Sequence, residues 1–198
     1  MFYKKIKVAA YLATYALLVV SPQAQTKENT HKTSVSVEMD PITLGFQGYG
    51  AHFRINPEGS RFLFGAGLYA MDFPDLLVDI NPKNRDMKWH VRLNQGLGLF
   101  GEYYFTEANH KFFLGSQMGT QEFEIKNASL EGKRGFTNLL VMGYGGYVWH
   151  PFAFNLYIKP WAGLGYTTPV SGSTSLGGKT YAIFPVIAFS TLHIGYTF

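Results

Sequence analysis

The chain has 198 residues, no cysteine, 22 glycines, 17% aromatic residues and a formal net charge of +4. That length holds one domain or two very small ones, and the absence of cysteine excludes a disulfide framework and thiolate metal or redox chemistry. Hydrophobic residues make up 46% of the chain, yet the mean hydropathy is -0.02, so apolar residues are interleaved with polar ones and not massed.

Residues 1–24 have the three-part layout of a secretory signal peptide. Lys4, Lys5 and Lys7 form a basic start, Val8–Val20 is an uncharged and mostly apolar run, and Ser21–Gln25 is small and polar, with cleavage expected after Ala24. The run is short against the roughly 20 residues of a spanning helix; a membrane anchor or a buried helix is the alternative. The segment carries three of the 17 Lys and Arg and none of the 13 Asp and Glu, so the rest of the chain has 14 basic against 13 acidic residues. A nucleic-acid partner, which needs a basic face on the folded domain, is therefore not expected. Residues 25–32 are polar and read as a flexible leader.

From residue 33 onward no stretch keeps a helical period, while period-2 alternation recurs. It predicts strands at 33–40, 42–55, 61–72, 89–105, 111–125, 134–149, 154–167 and 181–198, so that residues 33–198 form one domain. The first two are the least regular. Ser34, Ser36, Glu38 and Asp40 alternate with Val35, Val37 and Met39, then Asp40-Pro41 interrupts. Leu44 and Phe46 fall out of phase with Tyr49, Ala51, Phe53 and Ile55, which a bulge near Gly48 would reconcile. If 33–55 were one strand, the count would be odd. The connections alternate: 56–60, 106–110 and 150–153 are short, whereas 73–88, 126–133 and 168–180 are longer. Short turns at one end and longer loops at the other are the plan of a membrane barrel.

Each strand has one apolar face. In the fourth, Val91, Leu93, Leu97, Leu99, Tyr103 and Phe105 oppose His90, Arg92, Asn94, Gly96, Gly98, Phe100, Glu102 and Tyr104. In the last, Phe184, Val186, Ala188, Ser190, Leu192, Ile194, Tyr196 and Phe198 share a face against Thr191, His193, Gly195 and Thr197. Repeated glycine on the polar face has a purpose only inside a narrow lumen, where it makes room for large side chains. The apolar face is then turned to lipid. Aromatics flank the short turns (Phe53, Phe62, Tyr103, Tyr104, Phe105, Phe112, Phe113, Tyr147, Trp149, Phe152, Phe154, Tyr196 and Phe198), as a girdle at a membrane boundary would.

The expected fold is thus an all-β, eight-stranded antiparallel transmembrane up-and-down barrel. On the residues from 33 to the terminal Leu192-His193-Ile194-Gly195-Tyr196-Thr197-Phe198, the chain resembles the small bacterial outer-membrane β-barrels, similar in plan to the OmpA transmembrane domain and the OmpX-like proteins. Its style, with the leader ending Ala24-Gln25, is similar to uncharacterised barrels of Bacteroidetes-type bacteria. The resemblance implies a bacterial outer-membrane location, contact with lipid and lipopolysaccharide, and an assembly signal in Phe198, Tyr196, Ile194 and Leu192 for the barrel assembly machinery. It implies no single function, because the fold hosts many, and it leaves the oligomeric state open.

Glu102, Lys159 and His193 fall a few residues from the turn end on inward faces, and buried charges are expected to pair. Two readings follow: a salt-bridge plug filling the lumen, or a proton or ion path through a narrow, porin-like channel. Arg92, His90 and Asn94 are expected to form an upper layer of the same lumen. A lipid A-modifying enzyme is a further possibility. His31, His52, His90, His110, His150 and His193 lack the His-x-Ser-Asn pattern of a deacylase, while Asp72, Asp75, Asp79, His90 and Ser171 or Ser173 are available for an acyltransferase. No metal-ligand spacing and no cofactor motif is seen; no helix follows the Gly-x-Gly pairs, as a phosphate loop requires. The 73–88 loop has an apolar centre at Leu76, Leu77, Val78 and Ile80, fit either for a partner or lipopolysaccharide or for folding over the barrel mouth. The expected role is non-enzymatic, structural or surface-interacting.

Overall fold

The computed structural model describes residues 32–198; the signal segment 1–24 and nearly all of the leader lie outside the described residues. Eight strands close a ring in the order β1-β10-β7-β6-β5-β4-β3-β2, every neighbour antiparallel. They are β1 (Ser34–Met39), β2 (Tyr49–Asn56), β3 (Phe62–Asp72), β4 (Trp89–Tyr104), β5 (Lys111–Asn127), β6 (Arg134–Val148), β7 (Leu156–Gly172) and β10 (Val186–Thr197). The two-residue strands β8 (Ser175–Leu176) and β9 (Lys179–Thr180) form a separate hairpin in the last loop. Closure is made by β1 on β10, from Ser36 opposite Thr197 to Met39 opposite Ile194.

Residues 33–55 hold two strands, but the region between them is no strand and no bulge. Pro41–Gly45 forms a short helix. Asp40 caps it, its side chain accepting from Ile42 N at 2.9 Å, and Pro41 sits at the first helical position, where a missing N–H costs nothing. Gln47 then takes φ 55 and turns the chain into β2. The period-2 pattern across 42–48 failed because local capping chemistry overrode it. Likewise residues 181–185 precede β10 and do not extend it.

From the turn end upward, large apolar side chains face outward: Phe53, Phe64, Leu97, Leu99, Phe112, Leu114, Met118, Val141 and Leu164 are all exposed. On β5 this outward band runs from Phe112 to Thr120, and Glu122, Glu124 and Lys126 follow on the same face. That is about the nine to eleven residues a tilted strand needs to cross a bilayer. The belt is that of a transmembrane barrel, since water would not be met by so continuous an apolar surface. Aromatic rings exposed at the turn end (Phe62, Phe105, Phe112, Trp149, Phe152, Phe154 and Phe198) form the girdle. Tyr104 and Phe113 are corrections to it: both point inward, 0% and 1% exposed.

The lumen is filled by side chains, with interior glycines where rings pass. A Cβ on Gly195 would stand 2.2 Å from the Tyr157 ring, and one on Gly96 2.2 Å from that of Tyr69. At the loop end an apolar cluster closes the barrel: Met71, Val78, Trp89, Val91, Leu93, Phe123, Ile125, Phe136, Leu176 and Tyr181. The 73–88 loop folds over the mouth, with Val78 buried and Leu76 81% exposed. Asn84 ties it to the last loop, donating to Ala182 O at 2.9 Å and accepting from Ala182 N at 2.8 Å. Burial and the nearby Asp79 push the Tyr181 hydroxyl up to about 12.

Candidate functional site

At the turn end, alternation aims one charged residue from each of four strands at the barrel axis: Glu38 from β1, Arg54 from β2, Glu102 from β4 and Lys159 from β7. None is more than 4% exposed. Arg54 bridges the two carboxylates, donating from Nη1 to Glu38 Oε1 at 2.5 Å and from Nη2 to Glu102 Oε2. Lys159 Nζ donates to Glu102 Oε1 at 2.5 Å and lies 3.4 Å from Glu38 Oε1. The four formal charges balance in two pairs.

Hydroxyls complete the shell. Tyr104 and Tyr144 donate to Glu102 at 2.8 and 2.9 Å, and Tyr157 donates to Glu38 at 2.9 Å. Asn109, from the β4–β5 turn, accepts from Arg54 Nη1 at 2.9 Å and donates to Thr197 at 3.1 Å. Lys159 Nζ also sits 4.7 Å from the Phe113 ring centre, a position where a cation is attracted by the π face. A buried charge left without such partners would be costly; here both Arg54 terminal nitrogens and the Lys159 ammonium are paired, and Arg54 Nε alone of the guanidinium has no partner among the described residues.

His193 joins from β10. Its Nδ1 is 2.9 Å from Glu38 Oε2, and its Nε2 accepts from Trp161 Nε1 at 3.1 Å. That pair of partners assigns the tautomer with the proton on Nδ1. His52 stacks on it, centroids 4.4 Å apart and 23° between planes. Ligand atoms of Glu38, His52 and His193 lie within 4.8 Å of one another, a grouping on three strands that no sequence spacing announces. It does not fit a metal: both His193 nitrogens are engaged, stacked rings do not converge their lone pairs, and Arg54 and Lys159 already occupy Glu38.

The structure therefore brings Glu102, Lys159 and His193 into one cluster and adds Glu38, Arg54 and the tyrosines, which sequence reasoning left out. Inward parity on β1 and β2 was the available signal for Glu38 and Arg54. The upper layer expected from Arg92, His90 and Asn94 does not exist. Asn94 is the extra residue of a bulge: Leu93 pairs with Phe123 and Gln95 with Glu122. One inserted residue swaps the faces of a strand, so Val91 and Leu93 turn inward while His90 and Arg92 turn out. Arg92 pairs with Asp72 at the rim, where both side chains are more than a third exposed. Of the terminal-strand residues, Leu192, Ile194 and Tyr196 are half-buried on the outer face and Phe198 is 60% exposed at the turn end. The acyltransferase candidates scatter: Asp72 is held by Arg92, Asp75 starts a short helix in the 73–88 loop, and Ser171 lies on β7.

No family model matches the chain, and no curated protein matches it. Among solved structures it is similar to the N-terminal β-barrel domain of Pseudomonas aeruginosa OprF, at 12% identity and a TM-score of 0.41, covering 86% of this chain and all of that one. It is also similar to Neisserial surface protein A (NspA), at 12% identity and a TM-score of 0.40, covering 83% and 94% of the two chains. The fold assignment rests on the strand register and the face polarity given above, which stand without these likenesses.

Proposed function

We propose that the protein is a non-enzymatic barrel of a bacterial outer membrane, with its turn end toward the periplasm and its loops outside, serving a structural or surface-interaction role. The observation that carries this reading is the charge-balanced Glu38–Arg54–Glu102–Lys159 cluster filling the lumen among tyrosines. A lumen so filled offers no continuous water column, which favours a plug over an ion path. Asp72, His90 and Ser171 supply no joined nucleophile and base, and catalysis needs those groups within hydrogen-bond reach. In this reading Leu192, Ile194, Tyr196 and Phe198 present the terminal strand to the barrel assembly machinery, and the belt meets lipid and lipopolysaccharide.

Planar-bilayer recording of the purified protein tests the plug: the native chain conducts no steady current, and steady single-channel steps from it overturn the reading. Lipid A mass spectra with and without the gene product are expected to be identical; an acyl-chain difference would establish the enzyme instead. Cell fractionation places the protein with outer-membrane markers, and recovery in the soluble fraction without detergent refutes the location.

A further inference from the structure

One seam of the barrel wall is incomplete. β7 pairs with β10 from Tyr166 opposite Val186 to Leu156 opposite Tyr196. On its other edge β10 meets β1 only from Ile194 to Thr197. The short helix Pro41–Gly45 follows β1 there, and Thr191 Oγ1 donates to Asp40 Oδ2 at 2.7 Å. Val186–Ser190 lies beyond that contact, with no strand among the described residues on its other edge. Membrane barrels normally leave no such edge, because lipid cannot satisfy it.

A cavity of about 90 Å³ lies beside this seam. Ile187 and Phe189 line it from the inner face of β10, whereas Phe184, Val186 and Ala188 line it from the lipid side. A space lined from both faces of one strand passes around that strand's edge. The edge toward β7 is closed by pairing, so the passage is at the free one. Outside, Ala162 and Leu164 of β7 with Ala188 and Ser190 of β10 bound a shallow groove, and Ala188 and Phe189 line both spaces.

The inner end of the cavity is polar. Gln121 and Asn138 face each other across β5 and β6, and Thr167 follows on β7. Asn138 is 2% and Thr167 5% exposed, yet Asn138 Oδ1 and Thr167 Oγ1 have no hydrogen-bond partner among the described residues. Buried polar atoms are rarely left so. An acceptor and a hydroxyl in one apolar chamber call for a neutral group that can donate and accept. Among the described residues no Lys or Arg lines the cavity, so an ionised head is not what it suits. The volume is several times the roughly 10–15 Å³ that one water needs and below the roughly 150 Å³ of a cavity that takes benzene. It therefore has room for a head group and its first carbons, not a whole chain.

We propose that this site binds one single-chain lipid with a neutral head, a fatty alcohol or an undissociated fatty acid. The hydroxyl or carboxyl group donates to Asn138 Oδ1 and bonds Thr167 Oγ1. The hydrocarbon leaves past the free edge of β10 and lies in the outer groove, level with the upper edge of the apolar belt.

The test is a titration of the full-length barrel in phosphatidylcholine nanodiscs with a brominated fatty alcohol and a brominated fatty acid, followed by tryptophan quenching. Trp161 lies 5.7 Å from Phe189 and Trp89 6.0 Å from Tyr181, both cavity residues. Quenching is expected to saturate at one probe per barrel. Ala188→Phe, which fills the portal, is expected to weaken it about tenfold or more; Val186→Phe is the second portal variant should the first not fold, with heat-modifiable gel migration as the check of folding. Asn138→Leu with Thr167→Val is expected to weaken the alcohol and the acid about tenfold while leaving a brominated alkane unchanged. Linear quenching that never saturates and is the same in the portal variants is bulk partitioning and overturns the proposal. So does unchanged alcohol and acid binding in the Asn138 and Thr167 variant, or equal saturable quenching by a brominated phospholipid in place of these probes.

Discussion

The turn-end half and the loop-end half of the barrel are built from the same strands with opposite polarity. Near the turns the outer face is apolar and the lumen holds Glu38, Arg54, Glu102 and Lys159. Near the loops the interior is Met71, Trp89, Val91, Leu93, Phe123, Ile125 and Phe136, and the outside carries Arg92, Glu122, Glu124 and Lys126. The cause is the solvent. Where lipid surrounds the wall, apolar groups gain nothing by turning in; where water does, burying them is favourable by about 25 cal/mol per Å². The strands make the change in two ways. β4 inserts Asn94 and flips its faces, whereas β5 keeps its odd-numbered residues inward throughout and changes their chemistry, from Gln117 and Gln121 to Phe123 and Ile125.

Deleting Asn94 breaks this contrast most directly. Trp89, Val91 and Leu93 would be thrown out of the loop-end cluster, at about 1.5–3 kcal/mol each for a lost burial. The expected result is hydrogen-exchange protection lost across the loop end with the turn-end network still protected; unchanged exchange at the loop end would show that the bulge does not set the faces.

Arg54→Met probes the other half. It leaves Glu38 and Glu102 facing each other with Lys159 alone between them, and breaking a buried pair by removing one partner costs about 3–5 kcal/mol. Urea unfolding read by gel mobility should show a loss of that order. A loss below about 1 kcal/mol would place the network's value elsewhere than in stability.

Arg92→Met removes an ion pair of the same chemistry in the watery half. Arg92 and Asp72 are 38% and 39% exposed, and pairs in that setting contribute about 0–1 kcal/mol. The same urea assay should barely register it, and a loss equal to that of Arg54→Met would erase the distinction between the halves.

The smallest effect is set by pH at the turn end. Burial and the adjacent His110 hold the His150 imidazole below the usual histidine range. A lowered folded value means the unfolded turn binds the proton more readily, so its contribution is intact above about pH 6.5 and fades as pH falls below it. Amide protection factors of residues 149–155, taken relative to intrinsic exchange at each pH, should fall on acidification through that range and do so less in His110→Ala. The reverse trend would contradict the assigned environment.

The sequence by itself determined much of this protein. Period-2 alternation, turn spacing and glycine on the polar face specify a barrel with apolar outside, because those signals are local and the membrane imposes them on each strand separately. They also put Glu102, Lys159 and His193 inward, from parity alone. What they could not carry was phase. At Asp40-Pro41 a locally capped helix and at Asn94 a bulge each shift the pattern; the bulge is decided by pairing with β5, and it turns Arg92 and His90 to the face opposite the one their parity predicts. The partners of a buried charge are likewise a tertiary fact. Arg54 meets Glu38 and Glu102 across 16 and 48 residues of chain, and only closure of the ring brings them together, since the diameter of the lumen and not the order of residues sets which side chains can touch.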